Sequence, residues 1–214
     1  MADFTLTAYN VKTKEKNVPI SSKSIKAILE TNAKIVFDAT SASSAKINAF
    51  LLKDRFYIDL TPSKQHQICV PNVTKVSGNG VSMGSCTIQA VIPKLAKLKN
   101  LEYVEVVTTI ASESAGMGTR ENLSEYLITT AKIIKQFTKA KAKVILIINP
   151  TIQSMHNTIY IKRKNSDKIK IIQFEVKGQG DYLDARFGNL DVMTVAALKA
   201  AEDYAKNFNN RFYT

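Results

Sequence analysis

At 214 residues, 45% apolar and 22% charged, with eight Gly and five Pro, the chain has the balance of a folded protein with a sizeable core, not of a disordered tail. No apolar run approaches the roughly 18 residues that a membrane span needs, and Met1-Ala2-Asp3-Phe4 offers no basic segment followed by an apolar one, which points away from secretion. Two cysteines, Cys69 and Cys86, cannot make a disulfide framework, so a reducing cytoplasm is the expected setting.

Phe4 to Val11 alternates like a strand, and a Lys-rich turn then leads into a short helix over Ser22 to Leu29. Ile35-Val36-Phe37 predicts a brief buried strand ending at Asp38. Ile47, Phe50 and Leu51 sit at helical spacing after Ser43-Ser44, which reads as a cap. Phe56 to Leu60 is the next strand, stopped by Thr61-Pro62. Strand, helix and strand on short connections predict a parallel α/β sheet. A turn at Ser77-Gly78-Asn79-Gly80 precedes a helix over Thr87 to Leu98, which Pro93 limits or kinks. Tyr103 to Ile110 is a strand, and Leu123, Tyr126, Leu127, Thr130, Ile134 and Phe137 form a helical stripe. Val144 to Ile148 is a continuous apolar strand closed by Asn149-Pro150. Thr158 to Lys162 and Lys168 to Val176 read as paired strands around Asn165-Ser166-Asp167. The last helix runs from Asp191 to Phe208 with Met193, Ala197, Ala201 and Tyr204 on one face. The second half is therefore expected to be α+β, a sheet under helices.

The net charge of +12 invites a nucleic-acid reading, because cations neutralise phosphates and release counterions. Twenty-five of the thirty cations are Lys, however, scattered over polar faces, whereas base and phosphate recognition leans on the Arg fork. There is no RNP aromatic motif, zinc spacing or Gly-x-x-Gly clamp, so nucleic acid is not the expected partner.

Cys86 is the sharpest candidate for chemistry. It follows Met83-Gly84-Ser85 and opens an apolar helix, where the macrodipole and unpaired N–H groups favour a thiolate. A buried structural cysteine is the plain alternative, and the one expected for Cys69. Ser114-Ala115-Gly116-Met117-Gly118-Thr119-Arg120 is a Gly-rich loop opening a helix, a geometry that cradles anions on backbone N–H groups. His66 and His156 have no companions at metal-ligand spacing. Asn189, in Gly188-Asn189-Leu190-Asp191, reads first as an N-cap.

These stretches together resemble the acylating acetaldehyde dehydrogenases that partner 4-hydroxy-2-oxovalerate aldolases. The resemblance is carried by Val36 to Ser43 (VFDATSAS), Ile58 to Pro62 (IDLTP), Cys69-Val70-Pro71, Met83 to Pro93 with Cys86, Gln89 and Ala90 in place, Ser114 to Asn122 (SAGMGTREN), Ile148-Asn149-Pro150 and Gly188 to Thr194 (GNLDVMT). They occur in family order over nearly the whole chain from about Ala33. The resemblance implies that Cys86 attacks an aldehyde, that hydride passes to NAD and that the acyl thioester moves to coenzyme A. It implies cofactor contacts from Ser114, Ala115, Gly116, Met117, Gly118, Thr119, Arg120, Glu121, Asn122 and Asn189, and no metal. The fold it implies is a Rossmann-like domain over 1–82, an α+β substrate and dimerisation domain over 83–187, and a C-terminal helix over 188–214 that returns to the first domain. A homodimer and an aldolase-like partner follow from the same likeness.

The departures from the family are as informative. The family's opening strand and Gly-x-Gly-x-x-Gly have no counterpart, since Met1 to Lys16 holds no glycine, so the parallel sheet is expected to be an incomplete Rossmann sheet lacking its first strand–helix unit. Thr87-Ile88 stands where the family carries Gly-Gly. The family's acidic residue, read as base or orienting group, aligns with Asn157, which cannot take a proton near neutral pH. The long segment between the substrate-domain strands is replaced by a tight turn. The expected protein is thus a reduced, non-oxidising homologue serving as a structural or activating subunit of an aldolase-type complex. The alternative is an active acyl-transfer or NAD- and CoA-dependent acylating enzyme that uses Cys86 as the thioester nucleophile.

Overall fold

The computed structural model describes residues 4–10, 15–22, 25–30 and 33–210; Val11, Lys23, Ser24 and the Lys-rich turn before Glu15 lie outside them. β1 (Phe4–Asn10) and β2 (Glu15–Ser22) form a two-stranded antiparallel sheet of their own. The helix start expected at Ser22 is therefore the end of a strand. The register slips between Leu6 and Ala8, opposite Val18 and Pro19, where a residue without an N–H is best tolerated. The short helix α1 (Ile25–Leu29) follows.

A parallel sheet comes next, built from β3 (Ile35–Asp38), β4 (Phe56–Asp59), β5 (Gln67–Ile68) and β6 (Gly80–Ser82) in the order β3-β4-β6-β5. β5 and β6 were not read from the sequence, because two and three residues are too few to show a period. α2 (Ala42–Leu51) makes the crossover from β3 to β4. Its cap is Ser41 and not Ser43-Ser44: the Ser41 hydroxyl accepts the Ser44 N–H. One turn chemistry ends three parallel strands. Asp38 Oδ1 accepts from the N–H and hydroxyl of Thr40, Asp59 Oδ1 from those of Thr61, and Asn149 Oδ1 from those of Thr151.

Gly84, at φ +73, turns the chain into α3 (Cys86–Leu95); a Cβ there would also lie 3.3 Å from Ile133 Cδ1. α3 ends three residues earlier than expected. Pro93 removes the donor that would reach the Gln89 carbonyl, and the helix stops two residues later.

The second sheet has the order β10-β9-β7-β8, from β7 (Leu101–Ala111), β8 (Lys141–Asn149), β9 (Met155–Arg163) and β10 (Ile169–Val176). β7 and β8 run parallel, joined through α4 (Met117–Glu121) and α5 (Leu123–Thr138), and the other pairs are antiparallel. Val104, Val106, Ile159 and Ile161 bury one face of this sheet against Ile88, Ile92 and Leu95 of α3 and Ile133 and Ile134 of α5. The other face carries Val107, Ile145, Tyr160 and Ile171, partly exposed or exposed.

α6 (Gly188–Asn210) closes the molecule. Its Ala196, Ala197, Ala200 and Ala201 pack on Phe56, Ile58, Val81 and Met83 of the parallel sheet. Asn189 is consequently inside the helix and is not its N-cap. The helix continues from a 3-10 turn over Ala185–Phe187, whose Asp184 side chain accepts the Arg186 N–H, and residue 188 must be glycine because a Cβ there would sit 2.1 Å from the Val176 carbonyl oxygen.

Candidate active site

Cys86 is the first residue of α3, capped by the Ser85 hydroxyl, which accepts the Ile88 N–H. The helix start is held from below by Gln89, whose Nε2 donates to the Cys69 carbonyl at 2.8 Å and the Met83 carbonyl at 2.6 Å. Cys86 is 9% exposed and packs with Ala90, Ile110, Ala115, Tyr126 and Met155, with Val192 and Met193 of α6 against them. The site is therefore assembled from the starts of α3 and α6, the end of β7 and one side of α5.

A chain of hydrogen bonds runs inward from the sulfur. Cys86 Sγ lies 3.4 Å from the Tyr126 hydroxyl, which lies 2.6 Å from Thr87 Oγ1. Thr87 donates to Thr108 Oγ1 at 2.9 Å, and Thr108 donates to Asn157 Oδ1 at 2.9 Å. Asn157, on β9, is 1% exposed, and its Nδ2 is buried without a hydrogen-bond partner. The structure thus joins Cys86 and Asn157 through three hydroxyls. Two features hid this in the sequence: Tyr126 counts as one more apolar position of the α5 stripe, and Thr87 reads as a steric intrusion.

The expectation that the helix terminus favours a thiolate is not met in this geometry. Burial pushes the Cys86 thiol up, and the opposing hydrogen bonds from Tyr126, the Thr87 backbone and the Thr87 side chain do not offset it. Burial, and then the neighbouring sulfur, likewise push the Tyr126 phenol well up. Cys69 is buried in the core under α6, and burial raises its thiol too.

The Gly-rich loop lies beside the cysteine. Ser114 closes a 3-10 turn over Ser112–Ser114, buried, with its hydroxyl donating to the Ala111 carbonyl at 2.7 Å. Ala115 packs into the cluster with Cys86, and Gly116 is open to solvent. Met117 and Gly118 begin α4, Thr119 is half-buried and Glu121 exposed. Part of the loop's hydrogen bonding is turned to its own backbone. The N–H groups of Thr119 and Arg120 go to the Gly116 carbonyl, and the Arg120 guanidinium goes to the Ala115 and Ser112 carbonyls. The Asn122 carbonyl accepts the Tyr126 N–H at the start of α5. Asn189 is 4% exposed, one turn before Val192 and Met193, with its Oδ1 buried and without a partner. An ion pair of 2.8 Å between Arg186 and Glu113 ties the approach to α6 to this loop. Among the described residues no cluster of His, Cys, Asp or Glu could hold a metal ion, and no helix is long and apolar enough to cross a membrane.

A parallel sheet followed by a mixed sheet, with a thiol at the helix start between them and a final helix returning to the first sheet, defines a Rossmann-like α/β fold. The fold matches that of aspartate semialdehyde dehydrogenase II from Vibrio cholerae with a TM-score of 0.55 at 11% identity, over 85% of this chain and 81% of that one. The family model for the dimerisation domain of prokaryotic acetaldehyde dehydrogenase matches residues 86–179. Acetaldehyde dehydrogenase of Carboxydothermus hydrogenoformans is 37% identical over 87% of this chain and 77% of its own length. That of Bacillus cereus is 34% identical over 91% and 80%. The chain belongs to the acetaldehyde dehydrogenase family.

Proposed function

We propose that this member of the family has given up aldehyde oxidation and serves as a structural or activating subunit of an aldolase-type complex, with a 4-hydroxy-2-oxovalerate aldolase-like partner, in the cytoplasm. The observation that carries the reading is Asn157. The hydrogen-bond chain leading from the Cys86 sulfur ends on an amide, which accepts a hydrogen bond but takes no proton near neutral pH. The nucleophile therefore has no base at the end of its own network. The division into 1–82, 83–187 and 188–214 belongs to the same reading. So does a homodimer through the partly exposed face of the second sheet, supported by the dimerisation-domain match over 86–179.

The test combines acetaldehyde, NAD and coenzyme A with the purified protein and follows NADH, beside capture of a purified 4-hydroxy-2-oxovalerate aldolase. No NADH together with aldolase capture is the expected result. Turnover that disappears in Cys86→Ser would overturn it.

A second reading is favoured by Asn189. Its orphaned Oδ1, one turn before the Val192 and Met193 that pack on the Cys86 and Ala115 cluster, fits the amide N–H of a nicotinamide ring. In that case Asn189 and the Ser114–Asn122 loop hold the dinucleotide, and Cys86 adds to the aldehyde carbonyl and carries the acyl group as a thioester. When bound, NAD supplies the hydride acceptor and coenzyme A the thiol that takes the acyl group. Calorimetric titration with NAD separates the readings: saturable binding that Asn189→Leu abolishes would return the chain to the oxidising enzymes.

A further inference from the structure

We infer that Asn157 is a positioning residue that holds the Cys86 thiol in its protonated form through Thr108, Thr87 and Tyr126, because its amide oxygen sets the direction of every hydrogen bond between them. This deepens the reading of the same site as one without a working base and does not depend on the aldolase partner.

The proton count starts at the far end. Each hydroxyl has one proton to give. Thr108 gives its proton to Asn157 Oδ1 and Thr87 gives its own to Thr108. The 2.6 Å contact between Thr87 and Tyr126 can then be made only by the Tyr126 proton. The Cys86 thiol must in turn supply the proton for its 3.4 Å contact with Tyr126. All four bonds point away from the sulfur. For Tyr126 to donate to a thiolate, beside the Thr87 backbone N–H, the reversal must run back through both threonines to Asn157, where the oxygen would face a lone pair. Chains of this kind act cooperatively in a dry interior.

The apolar side chains packed with Cys86 are Ala90, Ile110, Ala115 and Met155, with Phe174, Val176, Val192 and Met193 against them. The influences on the thiol are its burial and its hydrogen bonds with Tyr126, Thr87 and its own backbone, with no charged side chain among them. Ser85 faces Tyr126 as well, but its hydroxyl is shared between the Ile88 N–H and Thr130 Oγ1 at 2.9 Å.

The experiment is the pH profile of Cys86 alkylation by iodoacetamide, read by peptide mass spectrometry with Cys69 as internal reference and Cys86→Ser as the assignment control. It requires neither aldehyde, nor NAD, nor an aldolase, so its failure and the failure of the proposed function are separate events. Asn157→Leu and Thr108→Val cut the chain at two points that do not touch the sulfur. Each frees the remaining hydroxyls to turn toward it. Each is expected to lower the thiol pKa and make alkylation near pH 7 about threefold faster, the gain in thiolate being partly offset by its lower nucleophilicity. Thermal unfolding of each variant checks that the fold is kept, and the two cuts replace each other if one is not. Profiles unchanged or shifted upward in both Asn157→Leu and Thr108→Val would overturn the inference; an upward shift in both means that the amide NH2, not its oxygen, faces Thr108.

Discussion

Phe56 on β4 and Tyr204 on α6 stack face to face, ring centroids 3.7 Å apart and planes within 8°. The pair fastens the last helix to the parallel sheet across most of the chain length. Phe56 is almost fully buried, so Phe56→Ala should cost about 3–5 kcal/mol. Tyr204→Ala should cost less, because that ring is only half-buried. A double-mutant cycle in urea should return a coupling of about 0.5–1.5 kcal/mol.

Gln89 is the strut beneath the nucleophile. Its amide donates to two carbonyls from different segments. Gln89→Leu keeps the volume and removes both bonds, and each buried carbonyl left without its donor costs about 1–3 kcal/mol. Urea unfolding should show that loss, whereas Gln89→Glu should restore part of it only where the carboxyl is protonated and can donate.

Asp59 makes an unusual contribution to pH dependence. Its carboxyl is buried and accepts from Thr61, Ser63 and Ser82, yet burial outweighs those bonds and raises its pKa. The folded state then holds the proton more tightly than the unfolded chain, whose carboxyl titrates near about 4. This term is fully present below the unfolded pKa and is lost as pH rises through the folded pKa, the reverse of a salt-bridged aspartate. Urea midpoints should fall across that window in the wild type and lose that component in Asp59→Asn.

The homodimer predicts a charge-sensitive face. Val107 lies in the middle strand, flanked across the sheet by Ile145 and Thr158. Val107→Glu should move sedimentation from dimer to monomer mass with an unchanged far-ultraviolet spectrum. A monomeric wild type would remove the dimer from the proposed function.

Most long elements were legible. The α5 stripe, the apolar β8, the hairpin of β9 and β10 and the alanine face of α6 each repeat a period over enough residues to be read locally. β5 and β6 were too short to show one. β2 was obscured by Pro19, which is absorbed at a register slip. The cap at Ser41 was misplaced because three serines compete within four residues, and only the backbone angle at Ser41 decides among them. Asn189 looked like a cap because the 3-10 turn over Ala185–Phe187, which runs straight into α6 and is capped by Asp184, is too short to show a period.

The sequence by itself determined the family, the alternation of strands and helices, and the position of a cysteine at a helix start, because these rest on residue order and short-range pattern. The tertiary structure decided what surrounds that cysteine. Thr87 meets Tyr126 39 residues away, and Thr108 meets Asn157 49 residues away. No local period encodes either distance. Burial at that meeting point pushes the thiol up even though the residue opens a helix, because the sulfur is taken out of water by side chains distant in the sequence.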